Sequence, residues 1–167
     1  MYISLRPWSL EDAATLTAYF NNISIWNNFR DYVHHPYLLD DAEEFITSQA
    51  ALFPTLNFAI LNEQEIVGGI GIVLQEDIYK MNVELAYWVA EPFWGCGIAT
   101  IAVELMTNYV FETFAVNRIV AEVFDPNKAS MRVLEKNGYF LECVRRKGVL
   151  KNEVLLDDFV WVKQRIQ

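Results

Sequence analysis

The chain has 167 residues, 53% apolar and 14% aromatic, and carries a net charge of −9. That composition suits a folded globular protein, long enough to bury a core within a single domain over residues 1–167, and it excludes a disordered chain. Acidic side chains outnumber basic ones by 22 to 13, so the chain lacks the basic footprint that nucleic-acid phosphates need, and cationic amines fit as partners better than polyanions.

The opening "YISLRP" alternates as a strand does, and "WSLEDAATLTAYF" reads as a helix capped by Ser9, with Asp12 three residues on and an apolar stripe of Leu10, Ala13, Ala14 and Thr17. The segment "NNISIWNNFRDYVHHPY" keeps no period and is expected to be irregular or short-helical. A second helix is expected from about Asp40, with acids in its first turn, where the helix dipole favours them. Three short runs, "LNFAILN", "EIVGGIGIVLQ" and "NVELAYWVA", then read as antiparallel strands of a meander. "GIATIAVELMTNYVFETF" has apolar residues at 98, 101, 102, 105, 106, 109 and 110, the stripe of a well-buried helix. "RIVAEVF" is a strand, "NKASMRVLEKNGY" a short helix stopped by Gly138, and "YFLECVRRKGVL" with "EVLLDDFVWVKQ" a closing hairpin.

No apolar stretch approaches the roughly 20 residues needed to cross a bilayer. The N-terminus shows no basic segment followed by an apolar block, so no signal peptide is expected and the expected compartment is the cytoplasm. Two cysteines, Cys96 and Cys143, and the adjacent His34 and His35 make neither a disulfide framework nor a metal constellation.

"EPFWGCGIAT" at 91–100 places Gly95 and Gly97 between a strand and a helix. A helix N-terminus leaves its first amides unpaired and partly positive, so small residues there open a backbone cradle for an anion. A tight turn into a packed helix is the alternative. The P-loop pattern fails because no lysine comes after the glycines, and the dinucleotide fingerprint fails because Thr100 stands where its third glycine belongs.

The region 82–139 resembles the GCN5-related N-acetyltransferase (GNAT) superfamily. "WGCGIA" is similar to its acyl-CoA loop, [QR]-x-x-G-x-[GA], at Gly97 and Ala99, with Trp94 in the Gln/Arg place. That tryptophan, with "HPYLLDDAEEFI" and the "N-x-x-S…LEKNGY" run, resembles the ribosomal-protein N-acetyltransferase (RimJ/RimL-like) branch, although Cys96 stands where that branch often has a basic or polar residue. The resemblance implies an α+β (mixed α/β) GNAT fold. Its central sheet would be mostly antiparallel, about seven strands in the order βααβββ-α-β-α-ββ, with helices on both faces. It also implies direct transfer of an acetyl group from acetyl-CoA, without a metal, to a primary amine. The acceptor would be a protein N-terminus, such as that of a ribosomal protein, or a small molecule.

Residue by residue, the resemblance puts coenzyme contacts at Trp94, Gly95, Cys96, Gly97, Ile98, Ala99 and Thr100, at Trp88 and Val89 on the preceding strand, and at Asn127 and Ser130. Glu84, flanked by apolar Val83 and Leu85, becomes the general base, with Glu153 as a second candidate; a surface carboxylate is the plainer role. Ser130 would stabilise the departing thiolate, or merely cap its helix, and Asn127 after "DP" is equally an N-cap. Lys128 and Arg132 would add positive charge or stay solvated. Cys96 invites a nucleophile role, but no histidine sits in a partner motif. For the acceptor, the family uses the segment that here carries Trp26, Asn27, Phe29, Arg30 and Tyr37, whose aromatics core packing explains as well. Homodimers are common among such proteins. A non-catalytic acyl-CoA-binding sensor of the same fold is the opposing class.

Overall fold

The computed structural model describes residues 1–125 and 127–166. It contains seven strands: β1 (Ile3–Pro7), β2 (Asn57–Asn62), β3 (Glu65–Leu74), β4 (Asn82–Val89), β5 (Arg118–Phe124), β6 (Phe140–Lys151) and β7 (Val154–Gln164). Five α-helices accompany them: α1 (Ala13–Phe20), α2 (Ile23–Trp26), α3 (Leu39–Ala50), α4 (Ile98–Thr113) and α5 (Lys128–Lys136). The strands form one sheet in the order β1-β2-β3-β4-β5-β7-β6. β1–β2, β2–β3, β5–β7 and β6–β7 pair antiparallel, while β4 and β5 pair in parallel over Asn82–Glu84 against Arg118–Val120. This is the expected mixed, mostly antiparallel seven-stranded sheet, and the irregular segment after α1 contributes the single turn α2.

The chain divides into two compact units, Met1–Gly71 with Tyr87–Ala102, and Ile72–Ala86 with the chain from Val103 onward. The first unit holds a core of Trp8, Leu16, Phe20, Ile46, Leu61 and their neighbours, with Phe29, Phe45 and Trp88 packed against it. In the second, Val83, Val103, Met106, Val110, Ile119, Leu134 and Val162 are fully buried.

Two helical stripes differ from expectation. The first turn after Ser9 is a 3₁₀ turn over Leu10–Asp12, which shifts the phase of α1 behind it. The buried positions of α1 are therefore Ala13, Leu16 and Phe20, and both Leu10 and Ala14 face solvent. Asp12 is buried instead, because its carboxylate accepts two hydrogen bonds from Arg6 (2.9 and 3.0 Å) and one from the Ser9 N–H (2.8 Å). In α4 the buried face runs through Ile98, Ala102, Val103, Met106, Thr107 and Val110, leaving Leu105 exposed. Thr107 is tolerated inside because its hydroxyl meets that of Tyr139 at 2.8 Å.

Candidate active site

The junction between β4 and α4 lies wholly within the first unit. Glu91–Phe93 form a 3₁₀ turn opened by Pro92, and the chain then passes Gly95 at φ +76° and Gly97 at φ +79°. These left-handed values strain any residue with a Cβ, so both glycines are dictated by backbone conformation. A Cβ built at either glycine would meet no heavy atom within 4 Å, so the space beside the loop is open among the described residues. The Gly97 carbonyl accepts from the amides of Thr100 (3.2 Å) and Ile101 (3.4 Å), starting the helix. The amides of Gly97, Ile98 and Ala99 meet no protein acceptor among the described residues. Open space beside unpaired amides at a helix start is the geometry of an anion cradle.

Trp94 does not reach toward that cradle through its N–H. Its indole donates to the Val89 carbonyl at 2.6 Å, which folds the loop back on β4, while the ring stays 48% exposed. Its indole N–H is thus engaged within the loop, and the exposed ring is the part of Trp94 left to face a ligand. The loop is fastened at two further points. Asn22, whose side-chain oxygen caps α2 by accepting from Ser24 N–H (2.8 Å), donates through Nδ2 to Glu91 Oε2 at 2.6 Å. Tyr19 and Phe93 meet edge to face with ring centroids 6.0 Å apart. Cys96 is exposed, and its thiol donates to the Trp94 carbonyl at 3.6 Å.

On β4 the backbone alternates. The Trp88 carbonyl faces β3, since a Cβ on Gly68 would sit 2.3 Å from it, and the Ala90 N–H donates to Val67 O at 2.8 Å. Residue 89 therefore directs its backbone groups to the opposite side. Of the two strand residues expected to bind a ligand by backbone, only Val89 is turned away from β3. Its N–H carries that expectation, because Trp94 occupies its carbonyl.

The expected acceptor residues lie in the same unit. Phe20 is the hub of an aromatic cluster, meeting Phe29 (5.1 Å), Tyr37 (4.9 Å) and Trp88 (5.1 Å) edge to face. Phe29 and Tyr37 thus pack as core, and Tyr37 is only 8% exposed. Burial, and then the nearby Asp41 charge, push its phenol up to about 12. Trp26 stacks on His35 and donates its indole N–H to Val33 O at 2.7 Å. Asn27 is half-buried and Arg30 exposed. Asp41 accepts from the Leu38 N–H and from His34 Nδ1, both at 2.8 Å; these bonds hold its carboxyl below the usual range and fasten the start of α3.

Glu84, Asn127 and Ser130 belong to the second unit. Glu84 is half-buried between the buried Val83 and Leu85, and so occupies the opposite face of β4 from them. Asn127 is the N-cap of α5, its side chain accepting from the Ser130 N–H at 3.2 Å. Ser130 is therefore not the cap, and its hydroxyl sits at the third helical position. Lys128 is paired with Asp125 and lies over the Phe159 ring, 4.9 Å from its centroid. Glu153 occupies the β6–β7 turn beside Asn152, both at positive φ (62° and 50°), and is exposed. Sequence reasoning missed the roles of Asn22, Glu91 and Tyr19 in fastening the loop. Only the acid placed before Pro92 hinted at one of them.

The acetyltransferase (GNAT) domain family matches residues 3–139. The chain belongs to the GNAT acetyltransferase family. "Uncharacterized N-acetyltransferase YoaA" of Bacillus subtilis strain 168 is 26% identical over 162 residues, covering 94% of this chain and 90% of that protein. "Probable N-acetyltransferase YjcK" of the same strain is 41% identical over 73 residues, 44% of this chain and 40% of YjcK, so the match spans under half of that relative. The ribosomal-protein-serine acetyltransferase of Escherichia coli K12 is 30% identical over 101 residues, 60% of this GNAT chain and 53% of that protein. Among solved structures, RimJ of Mycobacterium smegmatis in complex with CoA-disulfide superposes with a TM-score of 0.84 at 20% identity, covering 97% of this GNAT chain and 81% of RimJ.

Proposed function

We propose that this GNAT chain is a single catalytic domain that transfers the acetyl group of acetyl-CoA directly to a primary amine, with no metal. The observation that carries the reading is the run of unpaired amides at Gly97, Ile98 and Ala99 beside open space. A diphosphate fits there by backbone hydrogen bonds alone, and RimJ, of the same fold, is known bound to a CoA disulfide. Acetyl-CoA supplies the activated acyl group; the remaining chemistry belongs to the chain.

The Val89 N–H is the donor for the acyl oxygen, whose negative charge grows as the amine attacks. Glu84 takes the proton that the attacking nitrogen must lose, directly or through a water. As the C–N bond forms and the C–S bond breaks, the Ser130 hydroxyl donates to the sulfur and steadies the thiolate until it is protonated. Asn127 holds the start of α5 so that Ser130 is presented at a fixed helical position. Of the expected acceptor residues, Arg30 is the exposed one and Asn27 is half-buried beside Trp26. The acceptor is a protein N-terminus, in keeping with the ribosomal-protein-serine acetyltransferase relative, or a small amine. The enzyme works in the cytoplasm and touches neither membrane nor nucleic acid.

The test is thiol release from acetyl-CoA across a panel of N-terminal peptides and small amines. Release with at least one amine, lowered in Glu84→Gln and Ser130→Ala, is expected. Tight CoA binding without release on any amine would instead make the chain an acyl-CoA sensor.

A further inference from the structure

Consecutive residues at the end of α1 each bind a different part of the first unit. Tyr19 meets Phe93, just before the glycine loop, and Phe20 meets Trp88 on β4 as well as Phe29 and Tyr37. The Asn21 side-chain oxygen accepts from the Tyr37 N–H at 3.1 Å. Asn22 reaches both ways. Its Oδ1 accepts from the Ser24 and Ile25 N–H groups at 2.8 and 3.4 Å, while its Nδ2 donates to Glu91 Oε2 at 2.6 Å. These partners fix the orientation of the amide, because backbone N–H groups need an oxygen and a carboxylate needs an N–H.

Capping alone does not call for asparagine, since Asp and Ser cap a helix as well as Asn does. Among those three, only Asn can cap through oxygen and still donate to Glu91 through nitrogen. The cap matters here because α2 is one turn of four residues, too short to hold itself by propensity. We infer that Asn22 is a positioning residue that couples the coenzyme cradle to α2 and the segment behind it. The coupling rests on the acetyl-CoA reading: a loop held by a diphosphate keeps Glu91 in one place, so the tie to Asn22 orders less on forming and the cap opens less often. Asn27 and Arg30, expected to meet the acceptor, come directly after α2, so the coenzyme acts on that segment through Asn22.

Hydrogen exchange with CoA as the probe, read beside calorimetry, tests the coupling. Saturating CoA is expected to slow exchange of the wild-type Ser24, Ile25 and Trp26 amides by at least about fivefold. Asn22→Asp keeps a capping oxygen but loses the donor and sets one carboxylate against another. It should abolish the slowing and weaken CoA binding about three- to tenfold, the worth of one hydrogen bond. Glu91→Ala, which leaves the cap itself intact, should lose the slowing in the same way. Combining Asn22→Asp with Glu91→Gln reverses the bond, the glutamine amide donating to the aspartate, and should restore both readouts; a merely structural defect at position 22 would not be rescued from position 91. Absence of slowing in wild type with CoA bound overturns the coupling alone. So does slowing that survives in Asn22→Asp or Glu91→Ala, or a double variant no better than Asn22→Asp. Failure of the wild type to bind CoA in the calorimeter overturns the acetyl-CoA reading, and this inference with it.

Discussion

Gly97 shows how far a residue can be read before its geometry is known. The sequence marks it as small where an anion needs room, and the structure adds that φ +79° would exclude other residues even without a ligand. Both demands act on Gly97→Val, and they separate by measurement. Left-handed strain costs on the order of 1–2 kcal/mol, which a thermal melt reads as a drop of several degrees. A filled cradle costs affinity, so CoA binding by calorimetry should weaken more than tenfold in protein that is still folded; near-normal affinity would remove the loop from the site. Glu84→Gln should do the reverse, cutting turnover by about 10²–10⁴, the usual worth of a general base, while leaving CoA affinity within a few-fold. The sequence places Trp94 in the Gln/Arg position of the loop, and only the folded loop shows its indole N–H bound to Val89 O. Asn127 reads as cap or ligand contact, and its cap is formed whichever else it does.

At the scale of elements, the order of strands and helices is legible because periods of 2 and 3.6 change cleanly along the chain. Phase is less legible. The stripe of α1 slips because a 3₁₀ turn, which no composition signal marks, precedes the helix. The Arg6–Asp12 pair that buries that turn gives a pH prediction. Burial alone would raise the Asp12 carboxyl, but the bonds from Arg6 and the Ser9 N–H outweigh it and hold it below its ordinary value. A depressed acid contributes stability above its unfolded pKa of roughly 3.9, and that contribution is lost as pH falls through the lower folded value. Asp12→Asn should therefore cost about 1 kcal/mol at neutral pH, discounted for the partly exposed Arg6, and flatten the acid limb of stability below about pH 4. Urea melts at several pH values would show it. The strut from α2 to the glycine loop, Asn22 to Glu91, belongs to this scale too. Glu91→Ala frees the loop and should raise the KM for acetyl-CoA several-fold with kcat little changed. Glu91→Gln keeps an acceptor oxygen for Asn22 and should recover most of that loss.

For the whole molecule, pairing between distant segments is the part that the sequence hides. The closing hairpin is visible in the sequence, yet nothing local says that β7 enters beside β5 and leaves β6 at the edge. That long edge is guarded. Register shifts interrupt it between Leu141 and Cys143 and between Arg145 and Val149, and Arg145 and Arg146 are tied to Asp158 and Asp157. Such bulges and charges oppose strand addition. Charge is the other global property, and here the sequence speaks plainly. No lysine or arginine occurs from Met81 through Asn117, the stretch that holds β4, the glycine loop and α4, and Lys128 is already paired with Asp125. On the proposed reading, an anionic coenzyme approaches a chain of net charge −9 and is held by neutral amides once it arrives. Long-range repulsion is screened by salt, whereas short backbone hydrogen bonds are not. The association rate for CoA should therefore rise, by a few-fold, as ionic strength increases from about 20 to 150 mM, over which the Debye length falls from about 20 to 8 Å. Dissociation should hardly change. Stopped-flow tryptophan fluorescence would track both rates. A rate that falls with salt would mean that basic side chains, not the amides of Gly97–Ala99, draw the diphosphate in.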